Sequence, residues 1–104
     1  MPCQIIWSPE AREDLDSISE YISRDSLFYA QQVVAKILKT TRTIADQPLI
    51  GRIVPEYALG SVRERFAYNY RIIYQVKSKQ ILVVAIVHGM RDLANVFDGS
   101  QRLK

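Results

Sequence analysis

The chain has 104 residues, 48% of them apolar, and a formal net charge of +3. This length predicts a single domain over residues 1–104 with one core, because most domains contain ~100–150 residues. No apolar run reaches the ~18 residues that identify a membrane-spanning helix. Met1–Trp7 also lacks the basic and apolar segments of a signal peptide. We therefore expect no membrane association and a cytoplasmic location.

The chain contains a single cysteine and a single histidine, which excludes several kinds of site. Cys3 has no second cysteine with which to form a disulfide, and we predict that it is a buried, unreactive thiol in a strand. Cys3 and His88 are too few for a cluster of metal ligands. The chain also lacks a glycine-rich phosphate loop and a Ser-His-Asp arrangement, so we expect no metal and no cofactor.

Positive charge is concentrated in the second half of the chain. Residues 1–51 contain five Lys and Arg against seven Asp and Glu, whereas residues 52–104 contain nine against four. An anionic partner, either a nucleic acid or an acidic protein, would therefore meet the second half.

A short apolar strand at Ile5–Trp7 is followed by a first amphipathic helix. Ser8 followed by Pro9 is typical of a helix start, because serine caps the first N–H groups and proline lacks the N–H that would be unpaired there. The apolar stripe of this helix is Ala11, Leu15, Ile18 and Ile22. The helix should end near Ser23.

A second helix is predicted to begin after Asp25 or Ser26, either of which can cap it, and to end before Pro48. Its apolar stripe is Ala30, Val33, Val34, Ile37, Leu38, Thr41, Ile44 and Ala45. Only a few residues separate the two helices, which predicts an antiparallel helix hairpin.

Three strands follow a loop over residues 49–60. The strands are predicted at residues 61–66, 70–76 and 80–88, and the turns that join them at residues 67–69 and 77–79. The element order β-α-α-β-β-β predicts an α+β fold in which the helix hairpin packs on one face of a largely antiparallel sheet and the other face stays open. The tail, residues 91–104, has no predictable structure.

Arginines recur on two of the predicted strands. Arg63 and Arg65 point to the same side of their strand, since side chains alternate, and hairpin pairing should bring them near Arg71 on the open face. Glu64 falls on the opposite side and interrupts the apolar pattern there. Three converging arginines would bind phosphate or carboxylate. Arginines on a sheet also serve solubility and edge protection, so this interpretation stays open.

Arg91 and His88 lie near the end of the last predicted strand and can reach the edge of the same open face. Arg91 would add a fourth cation to the arginine surface. For His88, the sequence favours a structural role at this edge over an acid–base role.

Four segments, in this order, resemble ParE/RelE toxins of bacterial toxin–antitoxin pairs. They are Trp7-Ser8-Pro9-Glu10-Ala11, Gln47-Pro48-Leu49-Ile50-Gly51-Arg52, Tyr70-Arg71-Ile72-Ile73-Tyr74-Gln75-Val76 and His88-Gly89-Met90-Arg91-Asp92. The resemblance covers residues 5 to about 97. It implies a toxin that arrests growth, a cognate antitoxin as partner in a hetero-oligomeric complex, and one of two targets. RelE-like members cut mRNA in the ribosome, whereas ParE-like members inhibit DNA gyrase.

The resemblance to RelE-type nucleases extends to the basic residues. Their catalytic cations correspond to Arg63, Arg65, Arg71 and Arg91, with His88 as a possible acid–base group. Where those enzymes have a base-stacking tyrosine, this chain has Phe97 by spacing, which has no hydroxyl. Arginine is a poor proton acceptor, because its pKa exceeds ~12.

This comparison favours gyrase as the target, with Arg63, Arg65, Arg71 and Arg91 binding it. A ribosome-dependent mRNA endonuclease is the alternative, and a non-toxic nucleic-acid-binding or adaptor module is a further one. The antitoxin is expected to lie across the helix hairpin and sheet, as a helix in a groove or an added strand. The residues predicted to contact it are Leu15, Ile18, Ile22, Val33 and Ile37.

Overall fold

The computed structural model describes residues 3–57 and 60–89. Its elements are β1 (Gln4–Trp7), α1 (Pro9–Ser23), α2 (Leu27–Asp46), β2 (Arg52–Ile53), β3 (Val62–Ala67), β4 (Tyr70–Lys77) and β5 (Gln80–His88). The predicted α+β fold is confirmed. Neither helix is long and apolar enough to cross a membrane within these described ranges.

Local capping sets the helix boundaries. The Ser8 hydroxyl accepts a hydrogen bond from the Ala11 N–H at 3.0 Å, and the Ser26 hydroxyl accepts one from the Tyr29 N–H at 3.0 Å. Each bond satisfies an N–H that has no partner within the helix. Ser26, rather than Asp25, is therefore the cap of α2, and α2 ends before Pro48 as predicted.

The five strands form one sheet in the order β1-β5-β4-β3-β2. The pairs are antiparallel except β1 with β5, which is parallel. The two-residue β2 was not predicted, because Arg52 and Ile53 lie in a segment rich in turn residues. It pairs with Glu64 and Arg63 of β3 and covers only that part of the strand.

Both faces of the sheet carry buried apolar residues. The helix side contains Val33, Ile37, Ile44, Ile72, Tyr74, Ile81, Val83 and Ile86. The far side contains Val54, Val62, Ile73, Val84, Ala85 and Val87, with Tyr57 packed against them. The prediction of an open far face is therefore wrong. The nearly continuous apolar run of β5 places apolar side chains on both faces, and the segment before β3 supplies Val54 and Tyr57 as cover.

Cys3 precedes β1 rather than lying in it. Its thiol is half-buried against the helix-side core, and its N–H donates to the Ala45 carbonyl at 2.9 Å. This environment agrees with the predicted packing role, although burial is incomplete.

Candidate functional site

The three strand arginines do not converge. Arg63 pairs with Tyr74 and Arg65 with Ile72, so both lie on the helix side of the sheet. Arg71 lies on the far side with Glu64. The predicted common surface is wrong because the β3–β4 turn has two residues, Tyr68 and Asn69, instead of the predicted three. A change of one residue in register moves every side chain to the other face.

Arg71 is buried in a network of charges and is only 5% exposed. Its Nε donates to Glu64 Oε1 at 2.6 Å, and its two terminal nitrogens donate to the two oxygens of Glu56 at 3.2 and 3.1 Å. Glu64 is completely buried and also accepts from Arg52. Two arginines and two glutamates thus neutralise one another, and Arg71 is not an exposed target-binding residue.

The pKa of Glu56 reflects this network. Hydrogen bonds from Arg71 hold the pKa of the Glu56 carboxyl below its ordinary value of 4.5, against the opposing effect of burial. Both oxygens of Glu56 are used by one guanidinium, which fixes the segment that carries it to β4.

Arg63 anchors the chain between α2 and β3. It donates to the carbonyls of Gly51 at 2.9 Å, Gly60 at 3.2 Å and Leu49 at 3.5 Å. These bonds use Nε and Nη1 of the guanidinium and tie it to the loop. Its predicted position on an open face is therefore wrong, and its contacts are those of a loop anchor.

Arg65 is half-buried at the side of α2. It lines a hollow of about 130 Å³ together with Lys36 and Lys39. The described residues place no carboxylate within 4.0 Å of these three cations. Of Arg63, Arg65 and Arg71, it is Arg65 that lines a hollow and has no carboxylate within 4.0 Å among the described residues.

His88 ends β5 and is exposed. Its ring meets the Tyr70 ring edge-on, with centroids 5.8 Å apart. It lines one hollow of about 360 Å³ beside Asp14 and Tyr21, and a second of about 390 Å³ beside Phe66. Asp14 accepts a hydrogen bond from the Ile86 N–H at 3.0 Å. No Arg or Lys of the described ranges lines either hollow.

Two residues important to the sequence argument, Arg91 and Phe97, lie outside the described residues. Within residues 3–57 and 60–89, no group of three or more His, Cys, Asp or Glu is placed to hold a metal ion.

The residues predicted to bind an antitoxin are mostly inaccessible. Val33 and Ile37 are completely buried, and Leu15, Ile18 and Ile22 are half-buried against the same core. An apolar stripe at helical spacing marks the side of a helix that packs on its own sheet, so Val33 and Ile37 cannot contact a partner while the fold is intact.

An aromatic surface that was not predicted from the sequence is formed by the exposed Tyr21, Tyr29 and Tyr68 together with the half-buried Tyr70. The Tyr29 and Tyr68 rings lie 6.3 Å apart, and Tyr21 and Tyr70 line the same hollow as His88. Tyr21 is 69% exposed. The available signal was that Tyr21 and Tyr29 lie outside the apolar stripes of their helices. Large apolar side chains on the outer side of a helix indicate a partner surface.

A model of the family described as "ParE toxin of type II toxin-antitoxin system, parDE" matches residues 5–93. The chain belongs to the ParE toxin family. No curated protein matches this ParE-family chain significantly in sequence.

Solved toxin structures share the fold of this ParE-family chain. The chromosomal ParDE system from P. aeruginosa has 21% identity and a TM-score of 0.68, over 83% of this chain and 95% of that one. The RelBE2 toxin–antitoxin complex from Mycobacterium tuberculosis has 16% identity and a TM-score of 0.62, over 85% and 99%. The YoeB dimer from Staphylococcus aureus has 19% identity and a TM-score of 0.59, over 85% and 98%.

Proposed function

We propose that this ParE-family toxin arrests growth by inhibiting DNA gyrase and does not cut RNA. The observation that carries the proposal is the neutralised Arg71, which the RelE comparison requires as a catalytic cation. Glu56 and Glu64 occupy its guanidinium, and burial separates it from solvent.

The chemistry of RNA cleavage supports the same choice. Cleavage needs a group that accepts the 2′-hydroxyl proton and cations that stabilise the charge on the phosphorus oxygens. The cation that the RelE comparison places on the third strand, Arg71, is held by Glu56 and Glu64 and is only 5% exposed. Arg63 and Arg65 lie on the helix side of the sheet, away from Arg71.

The test runs two assays on one preparation of the toxin, each also with His88→Ala. We expect inhibition of gyrase supercoiling with both proteins and intact ribosome-bound mRNA. Cleavage of mRNA at defined positions that disappears in His88→Ala would establish the nuclease alternative instead. If induction of the gene does not arrest growth, the chain is a non-toxic binding module.

We also propose that a cognate antitoxin neutralises the toxin in the cytoplasm by covering the aromatic surface. The solved relatives include toxin–antitoxin complexes, and this surface is apolar, exposed and centred on a hollow of about 360 Å³. Ile18 lines that hollow too, so one residue of the predicted set remains within reach of the partner.

The antitoxin surface can be tested with the product of the neighbouring gene. Combining Tyr21→Ala with Tyr29→Ala should weaken the complex at least about tenfold, because buried aromatic side chains contribute most of an interface's energy. Leu49→Ala is the control, since Leu49 is similarly exposed but follows the opposite end of α2. Equal weakening by both changes would place the antitoxin elsewhere. Failure of the wild-type proteins to associate at micromolar concentrations would refute the partner.

A further inference from the structure

We propose that Tyr68, in the turn between β3 and β4, anchors the antitoxin, and that its ring forms one wall of a hollow that receives a large apolar side chain of that partner. The inference rests on the proposed antitoxin partner and goes beyond it, because it assigns one anchor residue and one pocket of the interface. It is supported by the backbone conformation of Tyr68, by the exposure of its ring and by the shape of the cavity beside it.

Tyr68 has a backbone conformation that disfavours a side chain. Its φ is 54°, in the left-handed region that glycine adopts freely and that other residues rarely adopt. Asparagine tolerates this region better than most residues, but Asn69 occupies the next position of the turn. A bulky side chain at a positive φ reduces the stability of the fold, and such strain is often found where function requires the residue.

The Tyr68 ring lies outside both buried clusters of the described residues. It is 51% exposed, and it contacts the Tyr29 ring with centroids 6.3 Å apart and planes tilted by 53°. Tyr29 is itself 47% exposed. Tyr68 therefore combines a strained backbone with an aromatic ring in water, and folding favours neither feature. A partner that covers the ring accounts for both.

A hollow of about 390 Å³ opens beside the Tyr68 ring. The described residues that line it are Phe66, Tyr68, Asn69, His88 and Gly89. Gly89 lies close to the Phe66 ring, since a Cβ on Gly89 would be 3.2 Å from Phe66 Cε2. Phe66 is 49% exposed, so a side chain that enters the hollow meets two aromatic rings. A large apolar side chain suits such a cavity, because interface anchors fill pockets with apolar and aromatic walls.

The position of this hollow favours the antitoxin as its occupant. His88 lines both this hollow and the hollow of about 360 Å³ at the centre of the aromatic surface, so the two are adjacent. The contact with Tyr29 joins Tyr68 to the same surface. A segment that covers the aromatic surface therefore reaches Tyr68 by continuing along it.

The turn that carries Tyr68 is fixed by its neighbours. Only Tyr68 and Asn69 join the two strands, because Ala67 already pairs with Tyr70. The Gly89 N–H donates to the Asn69 carbonyl at 2.7 Å, which ties the turn to the end of β5. A ring that is held in place before binding loses little conformational freedom in the complex, and this raises affinity.

The test measures stability and antitoxin affinity in the same set of variants. Tyr68→Gly removes both the ring and the strain, whereas Tyr68→Phe keeps the ring. Lys79→Gly is the matched control, because Lys79 has a φ of 59° in the turn between β4 and β5, at the opposite end of these strands. Thermal melting measures stability, and calorimetric titration with the product of the neighbouring gene measures affinity.

We expect Tyr68→Gly to raise the melting temperature by about 4 °C, since relief of strain outweighs the greater freedom of glycine in the unfolded chain. The same variant should bind the antitoxin at least about tenfold more weakly. Tyr68→Phe should bind within about twofold of the wild type, because the ring makes the contact. Lys79→Gly should also melt at a higher temperature, but with unchanged affinity.

Three results would overturn the assignment of Tyr68 alone. If Tyr68→Gly melts at or below the wild-type temperature, the ring contributes to the fold and its place in the turn needs no partner. If Tyr68→Gly binds the antitoxin as tightly as the wild type, the ring is not an anchor. If it retains antitoxin affinity but no longer inhibits gyrase, the ring serves the target instead. Wild-type proteins that do not associate would refute the proposed antitoxin partner itself, and this inference with it.

Discussion

Replacing Arg71 with alanine is expected to lower the free energy of unfolding by about 3–5 kcal/mol, the usual cost of removing one partner from a buried ion pair. The substitution would leave the completely buried carboxylate of Glu64 with the exposed Arg52 as its one cationic partner among the described residues. It would also remove both hydrogen bonds that hold Glu56. Loss of toxicity in this variant would therefore follow from unfolding.

Urea denaturation at neutral pH measures this change. Arg12→Ala is the control, and it should alter stability by less than about 0.5 kcal/mol because Arg12 is exposed. Combining Arg71→Met with Glu64→Leu should recover much of the loss, since replacing both partners leaves no unpaired buried charge. An Arg71→Ala protein as stable as the wild type would contradict the buried network.

Urea denaturation repeated at acidic pH measures how much Glu56 contributes to the free energy of unfolding. Its folded pKa lies below the ordinary value of 4.5, so its contribution is fully present above that pH and is lost as the pH falls through the folded pKa. In Glu56→Gln, this component of the acid destabilisation should be missing. An unchanged acid profile would show that the ion pair with Arg71 contributes nothing to stability.

Gly51→Ala should destabilise the fold by about 1–3 kcal/mol or more, the range for extra atoms in a packed core. A Cβ at this position would lie 2.5 Å from the Glu64 carbonyl oxygen and 2.5 Å from the Tyr74 hydroxyl. The Tyr74 hydroxyl accepts from the Gly51 N–H at 2.9 Å and donates to the Pro48 carbonyl at 2.8 Å. Moving the Gly51 segment away from Tyr74 would break these hydrogen bonds, of which the one from Gly51 is buried. One of the obstructing atoms belongs to the backbone of β3.

Gly60→Ala is the matched control for this prediction. A Cβ on Gly60 has no neighbour within 4 Å, so the same methyl group should cause no loss of stability. Thermal melting of both variants makes the comparison. If the two glycine variants have the same melting temperature, the close contact between Gly51 and Tyr74 does not limit the stability of the fold.

The sequence by itself determined the elements that depend on neighbours along the chain. Ser8 and Ser26 start the helices because their hydroxyls bond to N–H groups three residues ahead. The apolar stripe that contains Val33 and Ile37 followed from helical spacing, but their complete burial contradicts their predicted contact with an antitoxin. These features need only local hydrogen bonds and the period of the helix, so they can be predicted without the tertiary structure.

Glu64 shows how far prediction from the sequence alone could go. Glu64 interrupts an apolar alternation, and a carboxylate at a buried strand position requires a cationic partner. That partner is Arg71 on the adjacent strand. The sequence thus contained a signal of a buried ion pair, but not the identity of its members.

The tertiary structure alone decided what the arginines do. Whether Arg71 shares a face with Arg65 or with Glu64 depends on one residue in the β3–β4 turn, since a shift of one reverses the side of every residue. Glu56 reaches Arg71 from a segment 15 residues away, and Lys36 meets Arg65 across the space between a helix and a strand. Side-chain spacing within each element was predictable, but which charges meet is set by strand register and packing between elements. Strand register and packing between elements therefore determine the charge of each surface.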